Sequence, residues 1–311
     1  MNDGLFVTLV VAGVSFGTPL ALAALGELIS QRSGVLNIGV EGTMLIGAIF
    51  AFWATSATES LLVGFLAGIA AGALVGVIFA IAAVGFKANQ MVLGFALFLT
   101  GLGLSSYIAT AASLTGTRAP SHLGPLISGG ITDWPFFGPV LFGQDLLVYV
   151  SWILVAAASI YLHRTRPGLA LRAVGDDPAA ADSLGIRVNR VRVAHVAVGS
   201  AAAGLAGAYI SLGLIPAWSD NITGGGGWVA LSLVILSGWR PWRVLLAAYI
   251  FGAATRLAFT FQVRGIGIPP ELLDMLPYVL AFALLIATSV GSGRVGAEPT
   301  ALTKPYSREG S

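Results

Sequence analysis

Long runs of uncharged, apolar residues constrain this chain most. The runs occupy residues 5–27, 35–57, 61–86, 90–113, 146–163, 192–215, 228–238, 244–262 and 274–293. A helix needs about 20 apolar residues to cross about 30 Å of hydrocarbon, and all but the seventh run are long enough. Only 10% of the residues are charged, whereas soluble domains carry about 25%. The sequence therefore predicts an all-α, polytopic transmembrane helical bundle of about nine spans.

The spans are expected to form a single transmembrane domain over residues 1–293, interrupted by two hydrophilic segments. Residues 114–145 are rich in Gly, Pro, Ser and aromatic residues, and residues 164–191 form the longest charged stretch. Residues 294–311 are polar and contain two prolines, so we expect a flexible tail. The residues before the first run include Asp3 but no Lys or Arg, which argues against a cleavable signal peptide.

The distribution of Lys and Arg predicts the orientation, because basic residues concentrate in cytoplasmic loops. With the N-terminus outside, the cytoplasmic side receives most of them: Arg32, Lys87, Arg164, Arg166, Arg172, Arg187, Arg190, Arg192, Arg240, Arg243, Arg294, Lys304 and Arg308. Arg118 and Arg264 then lie outside, and Arg256 lies within a span. The 114–145 segment is therefore expected outside, and the 164–191 segment and the C-terminus inside.

The apolar run over residues 228–238 is too short to cross the bilayer, since its 11 residues rise only about 16 Å as a helix. The charge distribution nevertheless requires a crossing there. Residues 222–227 contain four consecutive glycines, and we expect them to complete the crossing as unwound or re-entrant backbone. Such backbone is tolerated at membrane depth where protein buries it or where it lines a water-filled cavity, which points to a substrate path. A flexible outer loop followed by a tilted short helix is the alternative.

The 164–191 segment contains the signals of a short helix. Asp177 is a suitable N-cap, Pro178 fits the first helical position, and Gly185 suits the C-terminal stop. A helix of about two turns is not stable alone. It therefore needs a surface to pack on, which is either a partner protein or the membrane domain of the chain itself.

A glycine pattern marks the third span. Gly64, Gly68, Gly72 and Gly76 recur every four residues, which places them on one face of the helix. Small residues on one face let two transmembrane helices approach closely. The pattern predicts a helix-packing face and carries no information about chemistry.

Several polar residues interrupt the apolar runs, and such residues usually face a bundle interior or a water path. Asn37 and Glu41 are four residues apart, so they would share a face of the second span. Asn89 and Gln90 open the fourth span. Glu41 could carry a coupling proton, accept a hydrogen bond from a substrate, or serve as a structural acceptor for a neighbouring helix.

The sequence lacks the residues that several classes of function require. The net charge of +2 reflects few acids rather than a basic patch, which argues against nucleic acid as a partner. The chain has no cysteine, and its three histidines show no metal-ligand spacing, so we expect no metal site. Phosphate-binding-loop, metalloprotease and serine-hydrolase motifs are absent from the sequence, so we expect no catalytic residue and no bound cofactor, with any ATP on a partner subunit.

Three stretches resemble the permease subunits of bacterial ABC importers of the branched-chain amino acid, ribose and nucleoside group. The first covers residues 27–47 and contains RSGVLNIGVEG, close to the ERSGVLNIGLEG stretch of the nucleoside and simple-sugar branch. The second covers residues 171–186, followed by NRV at 189–191. The third covers residues 224–230, with GWRP at 238–241. Together the three stretches span nearly the whole chain.

The resemblance implies a fold like that of type II ABC importers and gives the 164–191 segment a role. In this family that segment is the coupling loop, whose short helix sits in a groove on the ATPase subunit. The matching positions in this chain are Arg172, Gly175, Asp176, Asp177, Pro178, Ala181, Asp182 and Gly185. The resemblance and the broken-helix argument together give candidates for the translocation path. They are Asn37, Glu41, Asn89, Gln90, Gly225, Gly226 and Trp228.

The implied assembly contains two ATPases, two permeases and an external lipoprotein or periplasmic receptor in a bacterial cytoplasmic membrane. The chain resembles the shorter of two different permeases, so a heterodimer surrounded by membrane lipid is expected. The expected function is translocation of a nucleoside or simple sugar. Two alternatives remain: an ion-coupled secondary transporter that uses Glu41, and a non-transport membrane scaffold.

Overall fold

The computed structural model describes residues 3–127, 129–263, 267–276, 278–280, 282–283, 286 and 298–307. These residues form helices and loops without a β-strand. The α-helices are α1 (Asp3–Arg32), α2 (Val40–Thr58), α3 (Leu61–Ala80), α4 (Gln90–Ala111), α5 (Leu146–Arg164), α6 (Arg166–Asp176), α7 (Pro178–Ser183), α8 (Val188–Tyr209), α9 (Gly226–Ser237), α10 (Pro241–Val263) and α11 (Pro270–Asp274). Single π-helical turns, Ile81–Gly85 and Ile210–Leu214, extend α3 and α8.

Seven of these helices are long and apolar enough to cross a membrane, which confirms the predicted all-α membrane bundle. They are α1, α2, α3, α4, α5, α8 and α10. The seventh predicted span corresponds to α9, which has only 12 residues. The ninth predicted span, residues 274–293, lies largely outside the described residues. The described residues contain seven full spans, and the predicted count of about nine is not confirmed.

The glycine face of α3 packs against α2 and α8, as its four-residue spacing predicts. A Cβ atom added at Gly72 would lie 2.5 Å from the Ser200 carbonyl oxygen on α8. One added at Gly68 would lie 2.9 Å from the Ala208 Cβ. Larger side chains would therefore separate these helices, which explains why this face is built from glycine.

The second span differs from its prediction. The apolar run begins at residue 35, but α2 starts only at Val40, and the backbone between α1 and α2 is not helical. Gly34 adopts a left-handed φ of +88°, and the Asn37 side chain accepts a hydrogen bond from the Gly39 N–H at 3.0 Å. Such local side-chain bonds compete with the helix. The prediction that Asn37 and Glu41 share a helical face is therefore wrong.

The 164–191 segment confirms the predicted short helix and adds another. The Asp177 carboxylate accepts a hydrogen bond from the Ala180 N–H at 2.9 Å, and Pro178 begins α7 as expected. The added helix, α6, has a Thr165 N-cap and buries Leu171 and Val174 on one face. The sequence does not indicate α6, because Pro167 and Gly168 in its first turn are typical of loops.

The C-terminal residues also differ from their prediction. A flexible tail is predicted for 294–311, yet residues 298–307, the part that the structure describes, pack against the 164–191 segment and the α1–α2 connection. The Ala301 N–H donates to the Gly175 carbonyl at 2.9 Å, and the Thr303 N–H donates to the Gly34 carbonyl at 3.1 Å. Paired backbone and a buried Ala301 side chain fix this stretch in place.

The end of the bundle that carries these segments also holds the ends of α1 and α9. The Arg32 guanidinium donates to the Trp239 carbonyl at 3.2 Å, and the Trp239 indole N–H donates to Gln31 Oε1 at 2.7 Å. The 114–145 segment lies at the opposite end. There the Asp145 carboxylate caps α5 and accepts a hydrogen bond from the Tyr209 hydroxyl.

Candidate functional site

The start of α9 lies inside the bundle and is capped by a side chain from another helix. Its N-cap residue, Gly225, has no side chain to offer. The buried Glu41 carboxylate of α2 instead accepts hydrogen bonds from the Gly225 N–H at 2.9 Å, the Gly227 N–H at 2.5 Å and the Thr223 hydroxyl at 2.5 Å. The first N–H groups of a helix have no partner within the helix. Glu41 therefore supplies the cap that α9 lacks.

The glycines before α9 meet two separate requirements. Gly224 and Gly225 adopt left-handed φ angles of +54° and +84°, a region that other residues rarely occupy. Gly227 lies against the first turn of α2, where an added Cβ atom would fall 2.5 Å from the Cα of Glu41. The unwound backbone predicted for residues 222–227 is confirmed as far as Gly225, and the helix begins at Gly226.

Helix length sets the depth of this break. The far end of α9 lies beside Arg32, through the hydrogen bond to Trp239. Twelve helical residues rise about 18 Å. α9 is therefore too short to cross a hydrocarbon layer of about 30 Å, and its start lies well away from the end of the bundle that holds Arg32.

A cavity of about 470 Å³ opens beside this break. Residues from α1, α10 and the end of α8 line it together with Ile222, Thr223, Gly224 and Gly226. Its wall is mostly apolar, and the polar side chains that line it include Thr223, Thr255, Gln262 and Tyr278. An apolar pocket with a few polar groups is typical of small-molecule sites.

A second cavity of about 360 Å³ lies along α9 on the side of Trp228. Ser232 and Leu236 of α9 line it, as do Phe251, Tyr278 and Phe282. Val229, Phe251 and Tyr278 line both cavities, so the two spaces adjoin each other. The Trp228 ring is held edge-on against the Phe98 ring of α4, with 5.5 Å between centroids.

The structure brings some of the predicted path residues together and separates others. Gly226 lines the larger cavity, Trp228 lines the smaller one, and the Gly225 N–H bonds to Glu41. Glu41 itself lies behind the α9 start, with its carboxylate turned to the backbone.

Asn37, Asn89 and Gln90 lie elsewhere and are not among the described residues that line these two cavities. The Asn37 N–H donates to Glu27 Oε1 at 3.0 Å, and its side-chain amide donates to the Ser200 hydroxyl at 3.4 Å. Asn89 caps α4, and the Gln90 side chain accepts from the Leu36 N–H at 2.8 Å. Their observed contacts hold helices and the 33–39 backbone in place.

Comparison with known proteins assigns the chain to a family. Residues 9–287 match the family described as "Branched-chain amino acid transport system / permease component". The chain belongs to this permease family. The resemblance found in the sequence is confirmed, and the chain is a permease component of an ABC transporter.

Three relatives illustrate the likeness. The permease is 34% identical over 320 residues to the "Putative glucose ABC transporter permease protein TsgC13" of Haloferax volcanii, covering 96% of this chain and 97% of the relative. It is 33% identical over 316 residues to the "Guanosine ABC transporter permease protein NupQ" of Bacillus subtilis, covering 96% of each. It is 26% identical over 280 residues to NupP of the same organism, also named a guanosine ABC transporter permease, covering 88% of this chain and 78% of NupP.

The predicted coupling-loop residues of the permease divide into exposed and packed positions. Asp176 and Asp177 are exposed, whereas Gly175 and Ala181 are buried. An added Cβ at Gly175 would overlap the Arg32 carbonyl oxygen, so α6 ends directly against α1. Arg172, Pro178 and Asp182 are partly exposed, and Gly185 takes a left-handed φ of +82° after α7.

Several residues of interest are absent from the sequence-based predictions. Leu184 follows α7 and is 80% exposed at the tip of the 164–191 segment. A leucine within a charged loop is visible in the sequence. It indicates a candidate contact residue only when the structure shows that its side chain is exposed. Thr255 and Gln262 line the larger cavity. Their polarity within an apolar span is visible in the sequence, whereas their position beside the α9 break is not.

Proposed function

We propose that this permease is one of two unlike permease subunits of a bacterial importer, and that it moves a nucleoside or a simple sugar across the cytoplasmic membrane. A separate ATPase supplies the energy, and this chain binds neither ATP nor a metal. An external lipoprotein or periplasmic receptor delivers the substrate. The N-terminus lies outside, so α7 and the 298–307 segment face the cytoplasm.

The break before α9 is the observation that carries the proposal. Gly224 and Gly226 line a cavity of about 470 Å³ at membrane depth, where irregular backbone is tolerated only inside protein or beside water. Half-helix starts of this kind supply binding sites in transporters. The few hydroxyl and amide groups in an apolar wall suit an uncharged, polyhydroxylated molecule such as a sugar or a ribose ring.

The substrate class rests on the relatives. NupQ and NupP are named guanosine permeases and TsgC13 a glucose permease. The two Nup proteins come from one organism, and this chain matches NupQ over nearly its full length but only 78% of NupP. This pattern supports a heterodimer in which the chain is the shorter subunit.

The exposed face of α7 is the proposed ATPase contact. Asp177 and Ala180 are exposed there, and Leu184 projects an apolar side chain beyond the helix. Because α7 is built from only six residues, it would move as a unit with any protein that holds it.

The surroundings of Glu41 bear on the rival ion-coupled mechanism. Three donors occupy its carboxylate, and two of them are backbone N–H groups that have no other partner at the start of α9. A coupling carboxylate has to exchange its proton with water during each cycle. The observed contacts favour a structural acceptor, and with it an energy source outside this chain.

Uptake measurements test the proposal. Cells that express this chain with its partner permease, ATPase and receptor should accumulate radiolabelled guanosine or glucose. We expect uptake to continue when a protonophore is present and ATP is maintained, and to stop when a Walker-lysine variant of the ATPase is used. Uptake that stops with the protonophore and survives the ATPase variant would show secondary transport and refute the proposal.

A further inference from the structure

Residues 298–307, here named the C-terminal segment, bridge two parts of the bundle that do not follow one another in the chain. The Ala301 N–H donates to Gly175 at the end of α6, and the Thr303 N–H donates to Gly34 in the α1–α2 connection. The Thr300 hydroxyl adds a bond to the Asp176 carbonyl at 2.9 Å. Ala301 is only 5% exposed. The segment therefore occupies a packed groove between α6 and residues 33–34.

A buried arginine ties the segment to the bundle a second time. Arg192 of α8 is 1% exposed. Its Nε donates to the Ser33 carbonyl at 3.1 Å, and its Nη1 donates to the Lys304 carbonyl at 3.1 Å. Burying a guanidinium is unfavourable unless its N–H groups find acceptors. Part of the hydrogen bonding that allows Arg192 to be buried thus comes from the C-terminal segment.

The same segment also joins the apolar cluster that holds the buried residue of α7. Tyr306 packs in a cluster with Val174 of α6, Ala181 of α7 and Val188 of α8. Ala181 is the buried residue of α7, so the inner face of this helix and the Tyr306 side chain belong to one apolar cluster. A helix of six residues has no stability of its own. Its position is therefore set by the surfaces beneath it.

We propose that the C-terminal segment positions α7 and links it to the α1–α2 connection, so that displacement of α7 reaches Asn37 and Glu41. Tyr306 is the positioning residue beneath α7, and the hydrogen bonds at Ala301 and Thr303 carry the displacement to Gly34. From there Asn37 and Glu41 follow within seven residues of chain, and Glu41 holds the α9 start at the cavity. The inference rests on the proposed function, since an ATPase must move α7.

The first test needs only the full permease chain. Hydrogen–deuterium exchange of residues 178–185 is compared in Tyr306→Ala, Tyr306→Phe and Ser307→Ala, the last at an exposed neighbouring position. We expect about fivefold faster exchange in Tyr306→Ala, equal to loss of about 1 kcal/mol. Tyr306→Phe keeps the ring and should stay closer to the parent chain than Tyr306→Ala. Unchanged exchange in Tyr306→Ala, or unfolding of the whole permease, would overturn the proposal.

The second test uses the complete transporter in proteoliposomes and measures substrate molecules taken up per ATP hydrolysed. Ala301→Pro removes the N–H that bonds Gly175, whereas Ala301→Gly keeps it. We expect the ratio to fall about fivefold or more in Ala301→Pro and in Tyr306→Ala, and to change much less in Ala301→Gly. An unchanged ratio would refute the linkage. A parent complex without ATP-driven uptake would refute the proposed function, while the exchange result would still decide whether Tyr306 positions α7.

Discussion

Two stretches of non-helical backbone enter the interior of this permease, and they differ in what surrounds them. Residues 33–39 are enclosed by protein, with Asn37 bonded to Glu27, Gly39 and Ser200. Residues 222–225 end in two glycines, and Ile222, Thr223 and Gly224 line a cavity. Irregular backbone in a membrane protein must either find protein partners or face an aqueous space. Residues 33–39, which precede Glu41 in the chain, find protein partners. The stretch before α9, which bonds to the Glu41 carboxylate, faces a cavity with room for a ligand.

The strongest way to break this arrangement is to force the two stretches apart. Gly227→Val would place a branched side chain against the Glu41 backbone. Overpacking of this kind costs about 3 kcal/mol and would also remove the cap from α9. We expect little folded protein by size-exclusion chromatography in detergent.

The matched control is Gly224→Asn. Nothing lies within 4 Å of a Cβ atom at Gly224, and asparagine tolerates its left-handed φ. Its elution profile should resemble that of the parent chain. Equal folding of Gly227→Val and the parent would show that α2 and α9 do not need their close contact.

A filled cavity should abolish transport and leave the fold intact. Thr255 lines the larger cavity and bonds the Phe251 carbonyl one turn back. Thr255→Phe places a ring in that space, and we expect uptake to fall about tenfold or more at unchanged expression. Thr260 makes the same kind of bond on the same helix and is not among the cavity-lining residues. Thr260→Phe should therefore transport nearly normally, and equal losses in the two variants would place the substrate elsewhere.

The lengths of the apolar runs and the capping and glycine patterns within single turns were sufficient to predict most of the helices. The long apolar runs correspond to α1, α3, α4, α5, α8 and α10, because a lipid environment leaves few alternatives to a helix. The Asp177–Pro178 cap and the α3 glycine face act within one turn or one face, so spacing alone predicts them.

Long-range contacts account for what the sequence could not show. Glu41 was recognised as a candidate, but its role depends on Gly225 and Gly227, which lie more than 180 residues away in the chain. The polarity of the C-terminal segment suggests a flexible tail, whereas acceptors at Gly34 and Gly175 hold it in place. Asn37 has a helix-compatible spacing, yet its bond to Gly39 ends the helical pattern.

The enclosed stretch should affect stability rather than transport. Asn37→Ala removes the side-chain bonds to Gly39 and Ser200, and we expect a loss of about 1–2 kcal/mol in unfolding free energy. The KM for uptake should not change, because Asn37 is not among the residues that line the two cavities. Ser200→Ala removes only the longer bond of 3.4 Å and should have a smaller effect. A raised KM at normal stability would place Asn37 on the path and remove the difference between the two stretches.

The smallest effect is expected at Asn89, whose side chain accepts from the Met91 and Val92 N–H groups at 3.0 and 3.2 Å. Asn89→Ala removes this cap of α4 and should cost about 1 kcal/mol, measured as a lower midpoint of thermal unfolding. Asn89→Asp keeps an acceptor for the same N–H groups and should retain the midpoint. Uptake should be equal in both variants, because the hydrogen bonds that the structure shows for this side chain are the two cap bonds and because Asn89 does not line the cavities beside α9. If Asn89→Asp unfolds normally but transports poorly, the amide itself meets the substrate, and the path extends well beyond the α9 break.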